Sequence, residues 1–177
     1  MSEPPGGHLA VVLAETRRVR RRRGDLVIAE THHGLVCASA GVDRSNAPGD
    51  GLFVLLPTDP DASAARLRDA LAARFGVAPA VIVSDSFGRP WRVGTVDVAI
   101  GVAGMAALLD LRGTRDTRDH ELQATVVAVA DELASAAELV MGQARGVPAA
   151  LVRGYAAPPG EGSALDLVMP PERDLFP

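Results

Sequence analysis

The stretch LVIAETHHGLVCA, at residues 26–38, decides the fold class. Two apolar runs, 26–29 and 35–38, flank a polar segment in which Gly34 can supply the positive φ of a tight turn. The pattern predicts a β-hairpin, and therefore an antiparallel pairing. A doubly wound α/β fold would follow each strand with a helix, so this stretch favours a mixed α+β fold.

Helices and strands are predicted on both sides of this hairpin without regular alternation. Residues 9–23 are predicted to form a short helix ending at Gly24, and the apolar run 52–56 a strand buried on both faces. Pro60 suits a first helical turn, helical spacing of apolar residues follows, and Gly76 suits the helix end.

The remaining chain completes the predicted α+β architecture of a mixed sheet with packed helices. We expect strands at 80–83, 96–100 and 147–152, a charged surface loop at 110–120, and a long helix from Leu122 to Val140 that ends at Gly142. Residues 1–177 are predicted to form a single domain, with a flexible leader at 1–8 and a wrapping tail at 157–177.

Composition excludes several classes of function. All 18 basic residues among the 177 are arginine, so a P-loop lysine and the lysine Schiff base of pyridoxal enzymes are absent. Six arginines crowd residues 17–23, as either a nucleic-acid or membrane patch or a solvated helix end. The net charge of −4 favours the solvated helix end, so we expect no nucleic-acid partner.

The compartment follows from cysteine usage and hydropathy. Cys37 is the single cysteine and can form no intrachain disulfide. No apolar run approaches the ~20 residues that span a bilayer. We therefore expect a soluble, cytoplasmic protein without a membrane partner.

Two aspartates are candidate metal ligands because each follows a predicted strand. Asp43 is close to Asn46, and Asp85 is followed by Ser86, so each carboxylate has other oxygen donors beside it. An all-oxygen set suits Mg²⁺ or Mn²⁺. Asx turns or helix caps explain the same aspartates without a metal, and both interpretations stay open.

Two loops could contact a nucleotide. In residues 88–92, the arginines could bind phosphate or carboxylate and Trp91 could stack on a base or a flavin-like ring. Alternatively, the tryptophan could cover the edge of the core beside solvated arginines. In residues 141–148, Gly142 and Gly146 could bring the backbone close to a nucleotide, although a helix cap explains Gly142 equally well.

The strings at 40–46, 83–92, 97–104, 130–134 and 170–176 together resemble the coenzyme F420-0:γ-glutamyl ligases. The resemblance implies a γ-glutamyl ligase-like fold and a ligase that joins L-glutamate to coenzyme F420-0 through γ-linked amide bonds. It implies that GTP yields GDP and phosphate through an acyl phosphate, and that the protein is a homodimer.

The resemblance also implies site residues. Asp43 and Asp85 match the ligands of one Mg²⁺ or Mn²⁺, and Ser86 and Gln143 those of a second, with K⁺ as a further candidate cation. The residues matching GTP contacts are Asn46 and the segment Met141, Gly142, Gln143, Ala144, Arg145, Gly146, Val147 and Pro148. No catalytic nucleophile is implied.

Known members extend further at the N-terminus, where a segment carries several GTP contacts including a lysine. We therefore expect this chain to be an N-terminally short member that lacks this segment. The alternative hypothesis is an inactive or split-subunit homologue that binds metal and nucleotide only with a partner supplying the segment.

Overall fold

The computed structural model describes residues 7–175, and the chain divides into two compact units. The described part of the first unit comprises residues 7–59, 87–95 and 168–175. The second unit comprises Pro60–Ser86 and Val96–Leu167. No helix in the described part of the chain combines the length and apolar character that a membrane crossing requires.

The predicted α+β class is confirmed. The helices are α1 (Gly7–Ala14), α2 (Pro60–Phe75) and α3 (Val129–Met141), with short 3₁₀ helices at Ser39–Gly41, Ala164–Leu167 and Pro171–Arg173. The strands are β1 (Thr16–Arg23), β2 (Leu26–Thr31), β3 (Val36–Ala38), β4 (Val81–Arg89), β5 (Arg92–Ala103), β6 (Leu109–Asp110) and β7 (Val126–Val127). They form small sheets in the orders β1-β2-β3, β4-β5 and β6-β7.

The arginine run is a strand, so the helix predicted over 9–23 is wrong beyond Ala14. β1 pairs antiparallel with β2, in a register that sets Arg18 opposite Glu30 and Arg23 opposite Leu26. Arginine is a good helix former, but intrinsic helix propensity is small per residue, and cross-strand pairing outweighs it here. The side chain of Arg20 forms an ion pair with Glu30, with 3.0 Å between Nη2 and Oε2.

The predicted hairpin is present as β2 and β3, with Gly34 in the turn at φ 86°. Alternate residues of β2 are buried, and its Val27 and Ala29 pack with Val12 of α1 and with Val42. This core holds the chain that leads from β3 to Asp43. The strand predicted over 52–56 is wrong, since Val54 makes a single backbone bridge with Asp43 and is 44% exposed.

Helix α2 opens the second unit as predicted. It begins at Pro60 and is followed by Gly76, whose φ of 70° and hydrogen bond to the Ala72 carbonyl close the last turn. Asp61 in the first turn accepts the backbone N–H of Val102, at 2.8 Å. The helix is thereby fixed to β5.

The predicted start of the long helix and the predicted last strand are wrong. The long helix starts at Val129 rather than Leu122, because Val126 and Val127 pair as β7 with β6. Residues 147–152 have the composition of a strand but form none, and they are exposed.

Residues 157–167 pack against the core of the second unit. The Ala106 N–H donates to the Pro158 carbonyl and the Gly162 N–H to the Met105 carbonyl, each at 2.9 Å. Ala164 is buried in the cluster that contains Met105. These contacts fix the stretch from Pro158 to Ala164 to the second unit.

Candidate functional site

Asp43 lies on a loop whose backbone is paired with Val54. Its N–H donates to the Val54 carbonyl at 3.0 Å, and its carbonyl accepts the Val54 N–H at 2.8 Å. The Asp43 Oδ1 accepts the Ser45 N–H at 2.9 Å, and the Ser45 hydroxyl donates to Oδ2. This is the Asx turn that the sequence left open, built on a side chain that is exposed.

The Asp43 carboxyl is held ionised at neutral pH. Partial desolvation acts to raise its pKa, but the hydrogen bonds from Ser45, with smaller contributions from the Arg44 backbone and the nearby His8, lower the pKa below its usual value. Two hydrogen bonds leave the carboxylate further acceptor capacity, because its two oxygens offer about four lone-pair sites. A cation can therefore bind it without breaking the turn.

The same loop forms an open depression of about 420 Å³. Arg44 lines it at one end and lies over the Phe53 ring, with 4.9 Å from the guanidinium carbon to the ring centroid. Asn46 is exposed and adopts a positive φ of 56°. The loop thus presents a carboxylate, an amide and a guanidinium within four residues.

Asp85 and Ser86 lie within β4, so the prediction that they follow a strand is wrong. The strand continues to Arg89, because β4 and β5 form a hairpin whose turn includes Trp91 at φ 56° and 81% exposed. The solvent exposure of Trp91 excludes the alternative that it covers the core edge. Asp85 and Ser86 are both half-buried, and as neighbours on a strand their side chains point to opposite faces.

The segment after α3 carries the last predicted ligand. Gly142 at φ 65° caps the helix by donating its N–H to the Glu138 carbonyl at 2.7 Å. The Gln143 amide donates to Glu138 Oε1 at 3.3 Å. Gly146 also has a positive φ, of 65°, and residues 143–148 are exposed. Gly142 therefore caps α3, and the residues that follow it form an exposed loop, so the two interpretations of this segment are compatible.

The predicted ligands are divided between the units. Asp43 and Asn46 belong to the first, and Asp85, Ser86 and Gln143 belong to the second. Within residues 7–175, no group of three or more His, Cys, Asp or Glu side chains has the arrangement of a metal site.

The sequence alone did not point to a network of polar side chains around β5. Asp97 is 7% exposed, and its Oδ2 accepts the Ser84 hydroxyl at 2.9 Å. The Ser135 hydroxyl of α3 donates to the Asp97 carbonyl at 2.7 Å. The signal in the sequence that could have indicated this network is Asp97 itself, a single carboxylate in an otherwise apolar strand.

Asp131 in the first turn of α3 accepts the Ala99 N–H, at 2.9 Å to Oδ1. Burial raises the pKa of Asp131, and the hydrogen bond from Ala99 opposes that rise only in part. The Asp97 carbonyl and the Ala99 N–H are two residues apart, so they lie on one edge of β5. Asp131 and Ser135, one turn apart on α3, therefore both hydrogen-bond to that edge of β5.

The chain matches the family model described as F420-0:γ-glutamyl ligase over residues 3–154. It is 48% identical over 170 residues to a protein of Methanothermobacter thermautotrophicus named coenzyme F420:L-glutamate ligase, covering 93% of this chain and 66% of that protein. Proteins of the same name from Methanocaldococcus jannaschii and Methanopyrus kandleri are 44% and 47% identical over 167 and 171 residues, each match covering 94% of this chain. The chain spans 66% and 68% of their lengths.

Proposed function

The chain belongs to the F420-0:γ-glutamyl ligase family, and on this premise we propose that it joins L-glutamate to the coenzyme F420 precursor through γ-linked amide bonds. A carboxylate is a poor electrophile and must be activated. In the proposed reaction, a carboxylate oxygen of the precursor attacks the γ-phosphorus of GTP and GDP leaves, giving an acyl phosphate. The glutamate amine then attacks the acyl carbon, loses a proton and displaces phosphate.

The observation that carries this proposal is the arrangement of Asp43 on the loop that also presents Asn46 and Arg44. The backbone bridge to Val54 and the turn with Ser45 fix the carboxylate, and its lowered pKa keeps it charged. Phosphoryl transfer depends on positioning and electrostatics more than on a protein nucleophile. A fixed anionic oxygen beside an amide and a guanidinium fits that requirement.

The donor atoms fit the divalent cations that the family implies. Asp43 and Asp85 would hold one Mg²⁺ or Mn²⁺, and Ser86 and Gln143 a second, since carboxylate, hydroxyl and amide oxygens suit these hard ions. When bound, such ions neutralise the charge of the transferring phosphoryl group and orient it.

The chain's own residues bind and orient the nucleotide in this proposal. The exposed amide of Asn46 offers both donors and an acceptor to GTP. Residues 141–148 approach the nucleotide with little side-chain bulk at the positive-φ glycines Gly142 and Gly146. Arg44 supplies positive charge for a phosphate or a substrate carboxylate.

The proposed assembly is a homodimer. Large apolar side chains of the second unit support it, since Leu139 is 79% and Leu151 is 70% exposed. Light scattering on the purified chain should give twice the monomer mass, and a monomer at assay concentration would contradict this part of the proposal.

The test is a direct assay with GTP, Mn²⁺, L-glutamate and F420-0. We expect GDP release coupled to a glutamylated product, identified by mass spectrometry. Asp43→Asn and Asp85→Asn should each lower turnover by about 100-fold or more, because each removes a charged oxygen ligand. The matched controls are Asp25→Asn and Asp69→Asn, at exposed aspartates outside the candidate site, and they should keep wild-type turnover.

Absence of GDP release, with a relative from a methanogen active in parallel, would refute the proposal for the chain alone. GDP release that requires an added N-terminal segment would support the split-subunit alternative instead. Unchanged turnover in both site variants would refute the assignment of the aspartates.

A further inference from the structure

The buried Asp97 has no part in the proposed chemistry, and its position needs an explanation. It is the one acidic side chain in the buried class among residues 7–175. Burying a carboxylate is costly unless hydrogen bonds compensate it. Its side chain bonds to Ser84 on β4 and its backbone carbonyl to Ser135 on α3, so this residue connects three elements of the second unit.

The bond to Ser84 acts on the register of β4. Side chains alternate between the faces of a strand, so a slip of one residue moves every side chain to the opposite face. Ser84 directly precedes Asp85 and Ser86, and a slip there would exchange the faces on which these two ligands lie. The hydrogen bond from the Ser84 hydroxyl to Asp97 Oδ2, at 2.9 Å, favours one register.

The other end of the connection is anchored to α3. The Ser135 hydroxyl holds the Asp97 carbonyl at 2.7 Å, and Asp131 holds the Ala99 N–H at 2.9 Å. Two contacts one helical turn apart fix both the position and the direction of β5 along the helix. Asp97 therefore transmits the position of a helix to the strand that carries the ligands.

We propose that Asp97 is a positioning residue that orients Asp85 and Ser86 for cation binding through Ser84. This inference rests on the proposed function. Groups that hold metal ligands from behind typically change metal affinity by 10–100-fold when they are removed. The polar link explains why an apolar side chain, which would pack more cheaply, does not occupy position 97.

The experiment measures Mn²⁺ affinity of the full chain in the presence of GTP, by electron paramagnetic resonance, together with the thermal midpoint. Ser84→Ala removes the link without removing a carboxylate, and it should weaken Mn²⁺ binding by about tenfold or more. Ser84→Thr keeps a hydroxyl and should restore the affinity. Asp97→Asn keeps an acceptor for Ser84 and should lie closer to wild type than Asp97→Ala. Ser63→Ala is the control, because its hydroxyl accepts from Arg66 on α2, and it should bind Mn²⁺ like wild type.

A lower thermal midpoint in Ser84→Ala with unchanged Mn²⁺ affinity of the folded protein would overturn the inference, since that is the result of a merely structural bond. Wild-type protein that binds no Mn²⁺ would instead refute the metal-dependent function, and the inference with it. Weaker Mn²⁺ binding that threonine does not restore would also contradict the role of the hydroxyl.

Discussion

Replacing Gly101 by alanine should destabilise the second unit. Gly101 is buried in β5, and an added Cβ would lie 2.3 Å from the Pro60 carbonyl oxygen and 2.5 Å from its carbonyl carbon. The first distance is about 1 Å short of the 3.4 Å at which ordinary contact begins. The obstacle is backbone at the start of α2, so no side-chain rotation can relieve it.

The cost follows from the forced displacement of α2. Overpacking typically lowers the free energy of unfolding by about 1–3 kcal/mol. Because the obstacle here is backbone, we expect a loss of about 3 kcal/mol. For a chain of this size that corresponds to a fall of roughly 6–12 °C in the thermal midpoint. Movement of α2 would also strain the hydrogen bond between Asp61 and the Val102 N–H.

The assay is urea and thermal denaturation of the purified chain, followed by circular dichroism. Gly88→Ala is the matched control on the same hairpin, because nothing lies within 4 Å of a Cβ added there and its φ is not positive. The control should lie within about 0.5 kcal/mol of wild type, as surface substitutions usually do. A Gly101→Ala variant as stable as Gly88→Ala would refute the close approach of β5 and α2.

Three further predictions concern aspartates. Asp131→Asn keeps the hydrogen-bond acceptor but removes the buried charge, so the variant should be more stable than wild type at pH 7. Because the pKa of Asp131 is raised in the folded protein, wild type should gain stability relative to the variant as the pH falls towards 3.8. Parallel stability curves of the two proteins from pH 3 to 7 would contradict this prediction. Hydrogen bonds from the Arg112 side chain, and secondly from its backbone N–H, lower the pKa of Asp110 to about 2. Arg112→Ala removes the larger of these causes, so a carboxyl-carbon NMR titration should show that pKa rising part of the way towards 3.8, and an unmoved titration would count against the pair. Asp61→Ala leaves two backbone N–H groups without their acceptor and should cost about 2–4 kcal/mol in urea unfolding, whereas a loss below about 0.5 kcal/mol would be inconsistent with these bonds.

Local signals predicted those parts of the fold that depend on local chemistry. Pro60 and Gly76 marked the ends of α2, and Gly34 marked the turn of the hairpin, because each fixes the backbone without help from distant residues. The arginine strand was not predictable in this way, since its conformation depends on pairing with β2. Val126 fits helical spacing but pairs with Asp110 on β6, which is also a tertiary contact.

The site shows the same division. The sequence indicated Asp43 and Asp85 as polar groups beside strands, and it left the Asx turn at Asp43 open, which the bond from Ser45 now establishes. The roles of Asp97 and Asp131 could not be predicted, because their partners are 13 to 38 positions away in the chain. Spacing patterns carry no information on such contacts.

Helix α3 also determines on which side the β4–β5 sheet can grow. Asp131 and Ser135 occupy hydrogen-bonding groups of the β5 edge, so a strand added there would first have to displace a helix. Within the described residues, β4 has β5 as its only strand neighbour. Any extension of this sheet, by ordered assembly or by aggregation, is therefore directed to the side of β4, the strand that carries Asp85.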